Sequence, residues 1–333
     1  MRGMRGRSDH ARARVSATRE IGEERPVSTS ELLDDLRPRI FAIAYRMLGS
    51  VSEAEDVVQE TLLRVHSAIE GGEEISSPRA YAATVATRIA IDELRSARAR
   101  RETYVGEWLP EPITERPEDD PARQAEVADS LSLSFLVLLE SLSPEQRAAF
   151  LLHDVFDYDY GRVAEIVGTS EQNARQLASR ARRHVQDGRT RFDASAEQRD
   201  ELAASFLAAA EKGDLEGLEA MLAEDVELHG DGGGLAPAIR HPVFGRERVA
   251  RMLGNWWSLA ARLGVFTVRR ADVNGQPGAE YLDADGRLIG VMSLDIAEGK
   301  IQAIRSIVNP EKLRHLGPVA DANELFARIR ESS

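Results

Sequence analysis

A change of hydrophobic period divides this chain. Up to about residue 192 the apolar residues recur at helical spacing, as in Ile40, Ile43, Ala44, Met47 and Leu48. Two more helical stretches cover about 197–223. The pattern then shortens to strand-like runs at Val226–His229, Val265–Arg269, Ala279–Leu282, Leu288–Asp295 and Ile301–Val308. Asn274-Gly275 and Asp285-Gly286 punctuate those runs with hairpin chemistry. The chain therefore reads as an all-helical N-terminal half followed by a separate α+β domain. Its 333 residues suit two or three domains.

Within the helical half, residues 28–69 read as two helices broken at Gly49-Ser50, with Ser52 as the expected cap of the second. Ala54, Val57, Val58, Thr61, Leu62 and Val65 make its apolar stripe. Gly71–Ser77 is a loop, and Pro78 opens a third helix through Tyr81, Val85, Ile89 and Leu94 to an arginine-rich end. The resulting organisation is a basic tail at 1–27, a helical domain at 28–105, a linker at 106–128, a second helical domain at 129–192, the α+β domain at 196–317 and a tail at 318–333. The tail at 1–27 reads as disordered, with a misplaced start codon or a DNA-grazing arm as the alternatives.

Charge is informative only by segment. The net charge of −13 argues against a DNA-coating protein. Residues 107–129 hold eight acids (Glu107, Glu111, Glu115, Glu118, Asp119, Asp120, Glu126, Asp129) against Arg116 and Arg123, with four prolines. This predicts an extended, acidic tether. Residues 175–191 hold six arginines against Asp187. The absence of cysteine excludes disulfides and thiolate chemistry. No run is long and apolar enough for a membrane span, and no metal-ligand spacing or nucleophile arrangement appears. No cofactor and no enzymatic activity are expected.

The basic segment carries the sharpest signal. Ser143, Pro144 and Glu145 open a helix. A short helix around Val163, Ile166 and Val167 ends at Gly168, and another begins near Glu171. In that last helix Ala174, Leu177, Ala178, Ala181 and Val185 share one side, while Gln172, Arg175, Gln176, Ser179 and Arg183 share the other, flanked by Arg180 and Arg182. Helix, glycine turn, helix is the helix-turn-helix pattern. Arg and Gln suit base-edge reading, since they pair bidentately with guanine and adenine. A solvated face on any helical bundle has the same composition.

Ordered in this way, the segments resemble an extracytoplasmic-function sigma factor. Ala54-Glu-Asp-Val-Val-Gln-Glu60 is similar to the region 2 helix that docks on the β′ clamp helices of RNA polymerase. The matching positions are Asp56, Gln59 and Glu60. Tyr81–Leu94 resembles the helix beside the −10 recognition loop, and residues 142–185 resemble region 4, which reads the −35 element and meets the β flap. Trp108-Leu-Pro-Glu-Pro112, Asp231-Gly-Gly-Gly234 and Asn309-Pro-Glu-Lys-Leu313 resemble the SigJ-like subgroup, whose members carry a SnoaL-like cone domain. The one departure is Glu311, where the subgroup has Asp.

The resemblance implies a sigma factor that binds core polymerase and promoter DNA and is adjusted in cis by its C-terminal domain. Thr84, Arg88 and Asp92, with the Gly71–Ser77 loop, are candidates for a flipped −10 base, and Arg95, Arg98, Arg100 and Arg101 for phosphates, with a charged helix end favoured by the dipole as the alternative. In region 4, Arg175, Gln176, Ser179 and Arg180 are candidates for base edges, Gln172 lies on the same face, and Arg182 and Arg183 are candidates for phosphate. Regulatory contacts are expected at Trp108, Leu109, Pro110, Asp231, Gly232, Gly233, Gly234, Asn309, Pro310 and Lys312. Trp108 would anchor a linker whose acids mimic nucleic acid, with a solvated tether as the alternative, and Asp231–Gly234 would be a flexible hinge where the backbone approaches a partner. Trp256, Trp257, Phe266, Tyr281 and Met292 would line a pocket for an unknown small ligand, or form core. His229 and Asp231 would make an acid–base pair. Two rival readings stay open. One is a ligand-sensing repressor, which needs no docking helix. The other is an enzyme with a DNA-binding half.

Overall fold

The computed structural model describes residues 28–115, 132–188, 195–264 and 266–331. The arginine-rich tail 1–27 and the acids Glu118, Asp119, Asp120, Glu126 and Asp129 lie outside these residues.

The first helical domain comprises α1 (Thr29–Leu48), α2 (Val51–Glu70) and α3 (Pro78–Glu102). A capping box between Ser28 and Glu31 starts α1, and Gly49 ends it with φ 66°. The cap of α2 is Ser50, whose side chain accepts from the Glu53 N–H, and not Ser52. Ser52 lies inside the first turn and gives its hydroxyl to Glu111 of the linker.

The second helical domain holds α4 (Leu133–Glu140), α5 (Pro144–Phe150), a π-helical turn (Leu151–Val155), α6 (Tyr160–Val167) and α7 (Glu171–Gly188). Gly168, at φ 76°, makes the turn between α6 and α7. The two helical domains share one core, beside a smaller cluster that the second keeps for itself at Leu152, Val163, Ile166, Ala174 and Ala178. Leu36, Ile40 and Ile43 of the first and Leu136, Leu139, Phe150 and Val185 of the second belong to one buried cluster.

The C-terminal domain begins with α8 (Ala196–Lys212) and α9 (Leu215–Met221), and α10 (Arg246–Leu263) lies between its strands. Its strands are β2 (Leu222–Asp231), β3 (Val243–Phe244), β4 (Thr267–Val273), β5 (Gln276–Leu282), β6 (Leu288–Ala297) and β7 (Lys300–Ile307). Asn274-Gly275 turns β4 into β5 with φ of 55° and 73°, as a two-residue type I′ hairpin requires. Glu298-Gly299 makes a second such turn, at 53° and 69°, which the turn-residue signals alone did not single out.

The linker supplies the seventh strand. β1 (Thr114–Glu115) pairs antiparallel with β4, giving the order β1-β4-β5-β6-β7-β2-β3. Among the described strands β2 and β7 form the parallel pair, and the other pairs are antiparallel. The linker is thus no solvated tether over its described part. Leu109, Pro110, Glu111 and Pro112 are buried. All ten residues of β6 are buried, so both faces of the sheet are covered. Met292, Leu294 and Ile296 meet the helices of the cone, packing in one cluster with Phe206, Val249 and Trp257. Leu288 and Val291 face outward onto Leu109 of the linker and Leu133 of α4.

The segment 318–333 is not a tail over its described part. Val319 bridges to Leu288 of β6, and α12 (Ala322–Glu331) lays Leu325 against the cone core. A short helix α11 (Pro310–Leu313) precedes it.

Candidate promoter and polymerase interfaces

On α2, Asp56 and Gln59 are exposed, and Glu60 is half-buried and ion-paired with Arg64 at 2.7 Å. Leu63 lies one turn on and is 62% exposed, the most exposed large apolar side chain described. It shares one side of α2 with Asp56, Gln59 and Glu60. Periodicity alone missed Leu63, although it falls outside the apolar stripe of α2.

The face of α3 expected to hold a −10 base is occupied. Arg88 donates to the carbonyls of Ile166 and Glu165 at 3.1 and 2.9 Å, at the C-terminal end of α6, where a cation is favoured. Arg162 of α6 reaches back to the Thr84 hydroxyl at 2.9 Å and the Ala80 carbonyl at 3.1 Å. Arg95 bridges Asp92 and Glu145 of α5. Thr84, Arg88, Asp92 and Arg95 thus meet along one seam between the helical domains. The side chains of Arg98 and Arg100 lie outside the described residues.

A second set of buried charges closes the same seam. Arg147 is 2% exposed. It donates to the Leu139 carbonyl, to the Met47 carbonyl of α1 at 2.5 Å, and to Glu140 at 2.7 Å. Arg101 of α3 also pairs with Glu140 and donates to the Leu48 carbonyl. Burial lowers Arg147 to about 9. Arg147 and Glu140 are absent from the sequence reading and Arg101 stands in it only as a phosphate candidate, because the contacts across the seam join residues about 40 to 100 apart.

The opposite side of the second helical domain is open. Gln172, Arg175, Gln176, Ser179, Arg180 and Arg183 are exposed on α7, over a buried side of Ala174, Ala178, Ala181 and Val185. Arg182 is held by Asp154 at 2.6 Å, and Arg175 pairs with Glu171 and lies over the Tyr160 ring.

The three short motifs meet at Asp231, which is fully buried. Its carboxylate accepts from Tyr104 Oη at 2.6 Å, the Leu109 N–H at 2.8 Å, the Gly233 N–H at 3.0 Å and Lys312 Nζ at 2.6 Å. Lys312 also donates to the Leu109 carbonyl and lies 4.1 Å from the Trp108 ring centroid. Arg101 covers the same ring at 3.7 Å, so Trp108 sits between two cations. Asn309 donates to Tyr104 Oη at 2.7 Å. Burial lowers the Lys312 amine to about 8, against the pull of Asp231. Pro110 is buried beside Leu109, and Pro310 begins α11.

The glycines here serve close packing and not a hinge. A Cβ on Gly232 would lie 2.1 Å from the Ala236 carbonyl oxygen, and one on Gly233 would lie 2.3 Å from Asn309 Nδ2. Gly234 has φ 73°.

Glu111 is one of the eight acids of the linker and the acid of its Trp108–Pro112 motif. Its carboxylate accepts from the Val51 and Ser52 N–H groups at 2.7 and 3.2 Å and from the Ser50 hydroxyl at 2.8 Å. It therefore caps α2 from the linker, at the positive end of the helix dipole. Glu111 also ties in Tyr45, whose hydroxyl donates to the Glu111 carbonyl and accepts from Asn274 of the β4–β5 turn. Its sequence signal is an acid set between two prolines in an apolar stretch.

His229 and Asp231 do not pair. His229 contacts Glu107 and Glu227 instead. Trp256, Phe266, Trp257 and Tyr281 pack on one another, with centroids 5.1 to 6.2 Å apart, and the Tyr281 hydroxyl donates to Met292 Sδ. These side chains are cone core. Among the described residues no helix is long and apolar enough to cross a membrane.

Residues 32–100 match the sigma-70 region 2 family, and residues 132–185 match sigma-70 region 4. These are the two helical domains, and they define a promoter-recognition factor of RNA polymerase. The chain is 38% identical to the ECF RNA polymerase sigma factor SigJ of Mycobacterium tuberculosis over 288 residues, covering 83% of this chain and 90% of that protein. It is 31% identical to the probable ECF RNA polymerase sigma factor SigI of the same species, with 83% and 92% covered. The crystal structure of M. tuberculosis SigJ matches 86% of this chain and 98% of that one, with a TM-score of 0.69 and 36% identity. The chain therefore belongs to the extracytoplasmic-function sigma factors, in the SigJ-like group, with two helical sigma regions and a C-terminal SnoaL-like α+β domain.

Proposed function

We propose that this sigma factor brings core RNA polymerase to its promoters through −10 and −35 contacts, and that its SnoaL-like domain adjusts this activity in cis by holding regions 2 and 4 closed. The observation that carries the reading is the occupation of Thr84 and Arg88 by α6 while the α7 face stays exposed. The two promoter elements, about 25 base pairs apart by their names, are separated by about 85 Å of B-form DNA. Domains in direct hydrogen-bond contact do not reach both at once on straight DNA. The closed arrangement is therefore the inactive one.

The seam suits reversible opening, because it mixes apolar contact with charged groups that water can reclaim. The SnoaL-like domain holds both halves. Asp231 and Asn274 tie it to the first helical domain through Tyr104 and Tyr45, β1 and Leu109 tie it to the linker, and Leu133 of α4 ties it to region 4. The small ligand and the reading of linker acids as nucleic-acid mimics have no observation in their favour.

The test is co-elution of the full chain with core polymerase, followed by initiation on a promoter library. Promoter-selective initiation supports the reading. A chain that never joins core and acts only on duplex DNA restores the repressor reading.

Two variants sharpen it. Leu63→Ala and Asp56→Lys are expected to weaken core binding at least about tenfold with stability within about 0.5 kcal/mol, because both positions are exposed. Competition against the unmodified chain for core checks this. Gln176→Ala is expected to cost about 1–3 kcal/mol at one −35 position, whereas Arg183→Ala weakens all promoters alike and flattens the salt dependence. Both are read by initiation across single-base promoter variants at two salt concentrations.

A further inference from the structure

The His229 ring lies between two carboxylates. Its Nδ1 is 2.7 Å from Glu107 Oε1, on the linker, and its Nε2 is 2.8 Å from Glu227 Oε2, on its own strand β2. An ionised carboxylate only accepts hydrogen bonds, and a neutral imidazole has one N–H and one lone pair. A neutral ring here would point a lone pair at an oxygen at hydrogen-bond distance. The contact is complete only with one more proton than a neutral ring and two carboxylates hold.

Acids outnumber cations around the ring. Arg305 stands opposite His229 on β7 and is ion-paired with Asp295 of β6, and Ser134 of α4 bonds to both. Asp231 lies two residues along β2, paired with Lys312 of α11. Arg240 and His241, after β2, line a cleft with Glu107. Four acids (Glu107, Glu227, Asp231, Asp295) face two inner cations, Arg305 and Lys312. Glu107 Oε2 and Asp295 Oδ1 are buried without a hydrogen bond among the described residues. A third inner cation at His229 offsets that excess.

We propose that His229 is a proton-operated latch: its imidazolium ties the linker to the sheet, and loss of one proton loosens the linker and the closed arrangement. The consequence for transcription rests on the closed state being inactive; the latch itself does not. Closure is favoured as pH falls, since the proton completes the contact.

The chain has three lysines, Lys212, Lys300 and Lys312, which makes acylation a direct readout. Lys312 is buried against Asp231 at the linker, and Lys212 is exposed. The full-length chain, without polymerase, is pulsed with an amine-reactive acetyl ester from pH 6 to 8, and the Lys312 to Lys212 ratio is read by mass spectrometry. The same ratio is measured in Glu107→Gln, whose amide N–H completes the contact with a neutral ring. Dividing one ratio by the other cancels the reactivity of the amines.

The quotient is expected to rise at least about threefold from pH 6 to 8, and at most about tenfold per unit, the limit for one linked proton. A quotient equal at both pH values overturns the latch. Glu227→Gln provides the second reading where Glu107→Gln opens the linker at every pH. It too must lose the pH dependence, and a slope like that of the unmodified chain overturns the proposal. Because polymerase is absent, failure here leaves the sigma reading standing.

Discussion

Replacing Asp231 with alanine is expected to release the linker from the SnoaL-like domain at a cost of about 3–5 kcal/mol, the range for removing one partner of a buried ion pair. Four donors converge on this carboxylate: Tyr104 Oη, the N–H groups of Leu109 and Gly233, and Lys312 Nζ. Without it the Lys312 charge stays buried with only the Leu109 carbonyl and two rings. Asp231→Asn keeps an acceptor and is expected to cost less. Hydrogen exchange separates release from global unfolding. Amides of 104–114 are expected to exchange about 100-fold faster or more, at about 1.4 kcal/mol per tenfold, while β6 keeps its protection. Unchanged protection over 104–114 would mean that Asp231 holds nothing together.

The same site has a pH signature. Lys312 titrates at about 8 in the folded chain, because burial disfavours its charged form. When exposed it titrates in the ordinary lysine range, so between the two values the unfolded chain binds more protons. The stability contributed by this group therefore rises with pH above about 8 and is lost as pH falls through it. A Lys312→Met chain is expected to lack that rise when unfolding is followed between pH 7.5 and 9.5.

Arg147→Ala is expected to separate region 2 from region 4. The guanidinium is buried and spends its donors on the carbonyls of Met47 and Leu139 and on Glu140. Truncation strands both carbonyls, leaves a cavity and keeps Glu140 with Arg101 alone. The loss is about 3–5 kcal/mol. The Met47 bond is lost from the closed state and the Leu139 and Glu140 bonds from region 4 itself, so affinity for core polymerase is expected to rise while duplex −35 affinity holds as long as region 4 stays folded. Helical circular dichroism controls for collapse of region 4 itself. Arg162→Ala, which removes only the half-buried bonds to Ala80 and Thr84, is expected to give a smaller shift, of about 1–2 kcal/mol.

Local chemistry decided what was legible in the sequence. Periodicity, capping residues and glycine turns act within a few residues of one another. The helices of both sigma regions, the turn at Gly168 and the exposed side of α7 therefore lay open to reading. Strand ends were less legible, because pairing across the sheet extends a strand beyond its own pattern: β2 runs over ten residues where four were expected, and β4 begins later and reaches Val273. The three short motifs pointed to a common regulatory role, but nothing in them says that Asp231 receives Tyr104, Leu109 and Lys312.

Those partners lie between 81 and 127 residues from Asp231 along the chain. Glu111 likewise reads as a solvated acid until α2 presents its N-terminus to it, and Thr84 and Arg88 read as free DNA ligands until α6 covers them. The sequence by itself determined the helices of the two sigma regions, the order of the domains and the family, since each rests on local pattern. Only the tertiary structure decided which charges meet in the seams, because burial and pairing of distant side chains set their energies and neither leaves a periodic trace.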